Sequence, residues 1–174
     1  MASFMDRVVG AAKLDVRTYE EVEADTTATG QAMAVVVLSS VATGIGSGEG
    51  RYVMGALGAL VGWFIWAFLC YVIGTKLLPG PNTKADVGEL LRTIGFASAP
   101  GMLRVFGIIP IVGWIVMLVT GIWVLVTTVV AVRQALDYTS TMRAIGVCLV
   151  GWLVLVIWGL FMAGLFGGAA ALFG

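Results

Sequence analysis

The chain has 174 residues, of which 60% are hydrophobic and 11% charged, at a mean hydropathy of +1.02; a soluble globular chain carries roughly 25% charged residues. Ten Lys and Arg balance ten Asp and Glu, so no net field favours nucleic acid, which is excluded as a partner class. Histidine is absent, which removes the commonest haem and zinc ligand and the commonest general base, and Cys70 and Cys148 lack the spacing of a zinc or redox pair; no cofactor or metal is expected.

Uncharged runs extend over Thr26 to Gly48, Tyr52 to Thr75, Val105 to Val132 and Ala144 to Gly174, each at or above the roughly 20 residues that span a bilayer. The fold class is therefore all-α, an integral membrane bundle of about five transmembrane helices with a short N-terminal interfacial helix. Met1 to Asp25 contains Asp6, Asp15, Glu20, Glu21, Glu23 and Asp25, too acidic for a cleaved signal peptide, and reads as a retained cytosolic segment over 1–25. If Phe4 to Val16 is helical, Phe4, Met5, Val8, Val9, Ala12 and Val16 share a face opposite Asp6, Gly10, Lys13 and Arg17. That stripe suits a helix lying on the membrane or one docked on the bundle's own inner end. Thr18 and Glu21 offer a capping box for a short acidic helix ending at Ala24.

The transmembrane domain, 26–174, divides into segments at about 27–46, 52–78, 87–109, 110–132 and 142–170. The turn residues of Leu78-Pro79-Gly80-Pro81-Asn82 end the second, and Asp86 with Glu89 caps the third. That third segment carries Glu89, Arg92 and Arg104 and is broken by Pro100, so it could cross, re-enter or lie in the interface. As a kinked crossing it sets Arg92 and Arg104 about 18 Å apart along the axis, each within snorkelling reach of its own boundary. Ile109-Pro110 is expected to open the fourth segment, and Arg133 to Thr141 forms the last loop. Five crossings from a cytoplasmic N-terminus put Arg7, Lys13, Arg17, Lys76, Lys84, Arg92, Arg133 and Arg143 inside and only Arg51 and Arg104 outside; four crossings weaken this asymmetry. The expected location is the cell's inner membrane, with the C-terminus outside.

Few residues offer chemistry. Glu89 and Arg92 are spaced for an ion pair, read either as a headgroup or substrate contact or, more plainly, as an interfacial pair at a helix start. Ser98 and Pro100 lie in a small-residue break that could line a binding site but more often is a tolerated kink, and a serine with no base beside it is no nucleophile. With Arg104 these are the candidate polar and hinge positions. Gly58 with Gly62, and Gly164 with Gly168, form GxxxG spacings read as helix packing within the monomer rather than a dimer seam. Trp63, Trp66 and Trp123 fall mid-helix, where packing explains them.

The stretch Leu90-Leu91-Arg92-Thr93-Ile94-Gly95-Phe96-Ala97-Ser98-Ala99-Pro100-Gly101-Met102-Leu103, with Ile109-Pro110-Ile111-Val112-Gly113, Ile122-Trp123, Ala131-Val132-Arg133-Gln134-Ala135-Leu136 and the opening Glu20-Glu21-Val22-Glu23, resembles the Yip family of Ypt/Rab-interacting membrane proteins, in its short prokaryotic form. The resemblance runs from about Leu14 to the last span and implies five spans with a cytosolic N-terminus. Eukaryotic members are associated with vesicle traffic, Rab binding and membrane shaping. Their long N-terminal region, with its aspartate-leucine-tyrosine-glycine-proline signature, is missing here, so Rab binding is not carried over. The expected function is that of a non-enzymatic organiser or accessory subunit whose partners are membrane lipid and a membrane protein or second copy of itself. The alternative is a small transporter or channel using the break near Pro100; a solvent path with convergent polar groups at mid-depth would favour it.

Overall fold

The computed structural model describes residues 2–48, 50 and 52–173, with side chains as far as 163, and every regular element among them is helical. Ser3 and Asp6 close a capping box on α1 (Phe4–Ala12). The expected single helix to Val16 is interrupted: the chain turns at Lys13 and Leu14, the latter at φ 64°, and Asp15 rather than Thr18 caps α2 (Val16–Ala24). Gly10 permits the reversal, because a Cβ there would collide with Thr18 as α2 folds back across α1. The buried face of α1 is Arg7, Val8 and Ala11, whereas Met5 and Val9, with Val16 at the start of α2, face away from the bundle. The segment docks on the bundle through Arg7, Val8 and Ala11, and leaves Met5 and Val9 uncovered by the described residues.

A 3-10 turn (Thr26–Ala28) leads into α3 (Thr29–Ser47), and α4 (Tyr52–Val72) runs on into a π-helical turn (Ile73–Leu77). After the capping box of Asp86 and Glu89 come α5 (Val87–Ala97), a ten-residue 3-10 helix (Ala99–Ile108), α6 (Gly113–Ala135) and α7 (Thr141–Phe173). The sixth helix starts later than expected because Pro110 to Val112 form a turn, with Ile111 at φ 74°. Four stretches, Thr26–Ser47, Tyr52–Leu77, Gly113–Ala135 and Thr141–Ala163, are long and apolar enough to cross a bilayer.

The third segment owes its course to Pro100, which lacks the N–H that α-helical continuation requires. α5 stops at Ala97, and the chain tightens into threefold repeat, in which side chains three apart line up on one edge. That edge is Gly95, Ser98, Gly101, Arg104 and Gly107. Gly95 meets Ala32, Gly101 meets Ser39 and Gly107 meets Gly46, so the segment runs parallel to α3. Ala97 with Thr127, Arg104 with Thr120 and Gly107 with Met117 show the opposite sense against α6. Eleven α-helical and ten 3-10 residues reach about 36 Å together, matching a hydrocarbon core of about 30 Å. The Thr127 hydroxyl donates to the carbonyl of Ala97 at 2.7 Å, so α6 satisfies an acceptor that the proline break leaves open.

The central helix, α5, is less apolar than the four long ones. Leu90 and Arg92 to Ala97 are all buried, under α1, α2, α3, α4 and α6. In contrast, α7 buries Ala144, Val147 and Gly151 near its start, then leaves the bundle: Trp152, Ile157, Trp158 and Phe161 are each more than half exposed. Tyr138 ties the α6–α7 loop to the end of α4 by donating to the carbonyls of Gly74 (3.0 Å) and Leu78 (2.6 Å), and Arg143 donates to that of Pro79. Eight of the ten Lys and Arg in the chain therefore belong to elements at one end of the bundle, with Arg104 at the other.

Candidate functional site

Two arginines fasten the N-terminal helices to the bundle. Arg7 is 2% exposed and splits its guanidinium among Glu21 (2.8 Å), Asp25 (2.8 Å) and Gln31 (3.1 Å), joining α1, α2 and the start of α3. Its donation holds the Glu21 carboxyl below the usual range; Asp25 is lowered first by the Thr27 hydroxyl and then by Arg7. Arg92, 6% exposed, does not pair with Glu89. Its Nε lies 3.0 Å from the carbonyls of both Val22 and Glu23, and Nη2 donates to Glu23 as well. A cation thus closes the negative end of α2, while Glu89 is engaged in its own capping box. Trp123 and Tyr19 do the same for α1, donating to the carbonyls of Ala12 (2.8 Å) and Ala11 (3.0 Å). The Glu23 carboxyl is pushed up to about 7, first by burial and then by Glu89, Asp137 and Glu20, against a smaller opposing pull from Arg92.

At the other end a cleft of about 790 Å³ opens between α3, α4, α6 and α7. One wall is polar: Ser39, Ser40, Thr43 and Ser47 of α3, Ser98 and Arg104 of the third segment, and Thr128 of α6. The opposite wall is Gly55, Ala59, Gly62, Trp63 and Trp66 of α4 with Trp152 and Leu155 of α7. Since Ser39 sits near the middle of α3, the cleft descends from the Ser47 end to about half the bundle's depth. Instead of reaching outward, the Arg104 side chain turns back toward mid-bundle, donating from Nε to the Thr120 hydroxyl (3.3 Å) and from Nη1 to that of Thr43 (3.5 Å). Both are long. The hydroxyl protons of Thr43, Thr120 and Thr128 go to their own helix carbonyls at 2.7–2.8 Å, and no carboxylate among the described residues pairs with Arg104.

Of the residues singled out from the sequence, Ser98 and Arg104 line this cleft, Pro100 is buried behind it, and Glu89 and Arg92 belong to the other end. Among the described residues, Gly58 and Gly62 pack against no other helix: a Cβ on either would meet nothing within 4 Å. Gly164 and Gly168 lie outside the residues whose packing is described. Close helix approach is made instead by Gly95, Gly101, Gly107 and Gly46, which the GxxxG search missed. Their signal is a stricter one, small residues every third position from Gly95 to Gly107 broken only by Arg104. Arg7 was also missed, being one basic residue on a helix face otherwise read by its apolar positions. Cys70 and Cys148 are both free, Cys70 buried.

An all-helical bundle with four helices long and apolar enough to cross a bilayer defines a multi-pass α-helical membrane protein. Its family follows from the sequence as a whole: the Yip1 domain model matches residues 16–172, and the chain belongs to the Yip family. No curated protein matches it. No solved structure matches it either.

Proposed function

We propose that this chain is a non-enzymatic membrane organiser or accessory subunit, acting through lipid and partner packing, in the cell's inner membrane. The observation that carries the reading is how much apolar side chain the bundle leaves uncovered along α4, α6 and especially α7, where Trp152, Leu153, Ile157, Trp158, Leu160 and Phe161 are exposed. Such a surface is complete only in contact with acyl chains or other helices. Five crossings, with the N-terminus cytoplasmic and the C-terminus outside, are supported by the parallel run of the third segment beside α3 and by the gathering of cations at the end that carries α1 and α2. In this reading α1 sits at the cytoplasmic boundary, with Met5 and Val9 toward lipid.

A second reading, a small transporter or channel with the Pro100 segment as its binding or gating element, is favoured by the descent of hydroxyls and Arg104 to mid-depth. Purification from native membranes in mild detergent, with mass spectrometry of bound species, separates the two when paired with solute flux across proteoliposomes. The organiser reading expects a reproducible protein or lipid companion and no flux above empty vesicles. Saturable flux of a small anion, abolished by Arg104→Gln, would replace it with the transporter.

A further inference from the structure

We propose that the cleft beside Arg104 is a binding site for one anionic glycerophospholipid, its phosphate on the Arg104 guanidinium and one acyl chain lying along α4. This deepens the lipid-packing reading by naming the lipid, and rests on it only in that the helices lie in a bilayer. Four observations converge. Arg104 has five N–H donors but spends only two, at 3.3 and 3.5 Å, both on hydroxyl oxygens whose protons are already committed to backbone. A half-buried cation held by neutral acceptors alone attracts an oxyanion that can take a charge-assisted, forked pair. Beside it, Ser47 at the end of α3 and Ser40, about two turns deeper, add polar groups along the same wall.

The remaining observations concern the chain's path. Gly55, Ala59 and Gly62 strip one side of α4 of bulk, and a Cβ at Gly62 would meet empty space. The Trp66 and Trp152 rings flank this channel, and its volume of about 790 Å³ falls in the roughly 300–1,000 Å³ of small-molecule pockets. Finally, α7 closes this flank of the cleft with Trp152 and Leu155 alone among the described residues, and its other side chains beyond Gly151 are largely exposed, so acyl chains can lie against this flank. One unbalanced cation calls for a headgroup with no ammonium of its own, which is why the phosphate diester is expected to be anionic rather than zwitterionic.

The test is native mass spectrometry of the full chain in detergent, titrated with phosphatidylglycerol, phosphatidylcholine or inorganic phosphate. One phosphatidylglycerol is expected to be retained about tenfold more tightly than phosphatidylcholine, the scale of one charge-assisted contact. Arg104→Gln should erase that preference while Lys84→Gln, an exposed charge at the other end, leaves it intact. Gly62→Leu should weaken retention of both lipids by filling the channel without touching Arg104. If Arg104→Gln is monodisperse and still prefers phosphatidylglycerol, or if Gly62→Leu binds as the parent does, the site is overturned while the organiser reading stands. Displacement of the lipid by millimolar inorganic phosphate would make the cleft a solute site and also overturn it. Failure of every variant and the parent to hold any lipid would instead count against the lipid-packing function itself.

Discussion

Arg92 and Glu23 meet at a single backbone carbonyl, and their side chains make opposite demands on pH. Arg92 has its guanidinium on the last turn of α2, a job that depends on a planar fork more than on charge. Arg92→Lys is therefore expected to free α2 nearly as much as Arg92→Ala, by about 1.5–3 kcal/mol for the lost charged hydrogen bonds, read as faster hydrogen exchange over 16–24. Protection equal to the parent's in Arg92→Lys would show that charge alone suffices. Glu23, beside it, has its carboxyl raised from 4.5 to about 7 when docked. The docked state holds that proton more tightly than the undocked one, so docking is strongest below about 4.5 and weakens as pH rises toward 7. Glu21 and Asp25 are lowered, and their contribution is present above their ordinary values of 4.5 and 3.8 and lost as pH falls. The N-terminal helices should hence be held best in mildly acid conditions and loosen through neutrality. Exchange over 4–24, corrected for the intrinsic pH dependence, should step up as pH rises from about 4.5 to about 7 in the parent and lose that step in Glu23→Gln. A step of the same size in the variant would assign it to another group.

Between elements, the contacts that decide the fold are made where side chains are missing. A Cβ at Gly46 would run into the Arg104 carbonyl, and one at Gly101 into the Ser39 hydroxyl. Gly46→Ala faces backbone, which cannot rotate away, and is expected to cost about 1–3 kcal/mol or more, seen as a fall in thermal midpoint in detergent. Gly58→Ala and Gly62→Ala face open space and should leave that midpoint within a degree or two for a chain of this size, where about 1 kcal/mol moves it 2–4 °C. A shift in oligomeric state with unchanged stability in those two would identify an intermolecular seam. The contrast also marks what was legible beforehand. Hydropathy runs and caps are what mark the long helices in the sequence, because lipid enforces length and turn residues enforce ends. A spacing of four, the α-helical contact rule, does not point to Gly95, Gly101 and Gly107, because most of that stretch is not α-helical. Pro100 announced a break but not that a threefold helix would follow, which needs α3 alongside to reward it. Ser98 and Arg104 were recognised as polar oddities, while the cleft that joins them to α3 depends on a parallel register between elements distant in sequence.

For the molecule as a whole, the parity of crossings decides which loops share a side. In a chain lacking Cys70 and Cys148, single cysteines at Ser47 and Ile109 should react with a membrane-impermeant maleimide added to intact cells, while those at Asn82 and Thr139 should not. All four positions fall at or beyond helix ends, and Thr139 is preferable to its neighbour Tyr138, whose hydroxyl holds the end of α4. Labelling at Thr139 with Asn82 protected would establish four crossings and reject the parallel third span. The two ends of the bundle would then differ in kind. One is tied by arginines, tyrosines and a tryptophan to carbonyls of the helices it gathers; the other is parted by a cleft. Rigidity at one end and separability at the other suit a protein that accommodates lipid or a partner helix without unfolding.

The centrality of α5 also bears on biosynthesis. A segment with Arg92, Arg104 and a proline break gains little by entering lipid alone, and its backbone acceptor at Ala97 is met by Thr127, which the ribosome has not yet made when the segment emerges. Its integration should therefore wait for α6 and proceed with it as a pair. A topology reporter fused after Val112 in a truncated nascent chain should report from the cytoplasm, and the same reporter inserted after Val112 in the full chain from the opposite side. Identical readings would mean that the segment enters the translocon's lateral gate unaided. Otherwise the order of synthesis, in which the central helix precedes the one that shelters it, makes this protein dependent on whatever shields a half-made bundle in the interval.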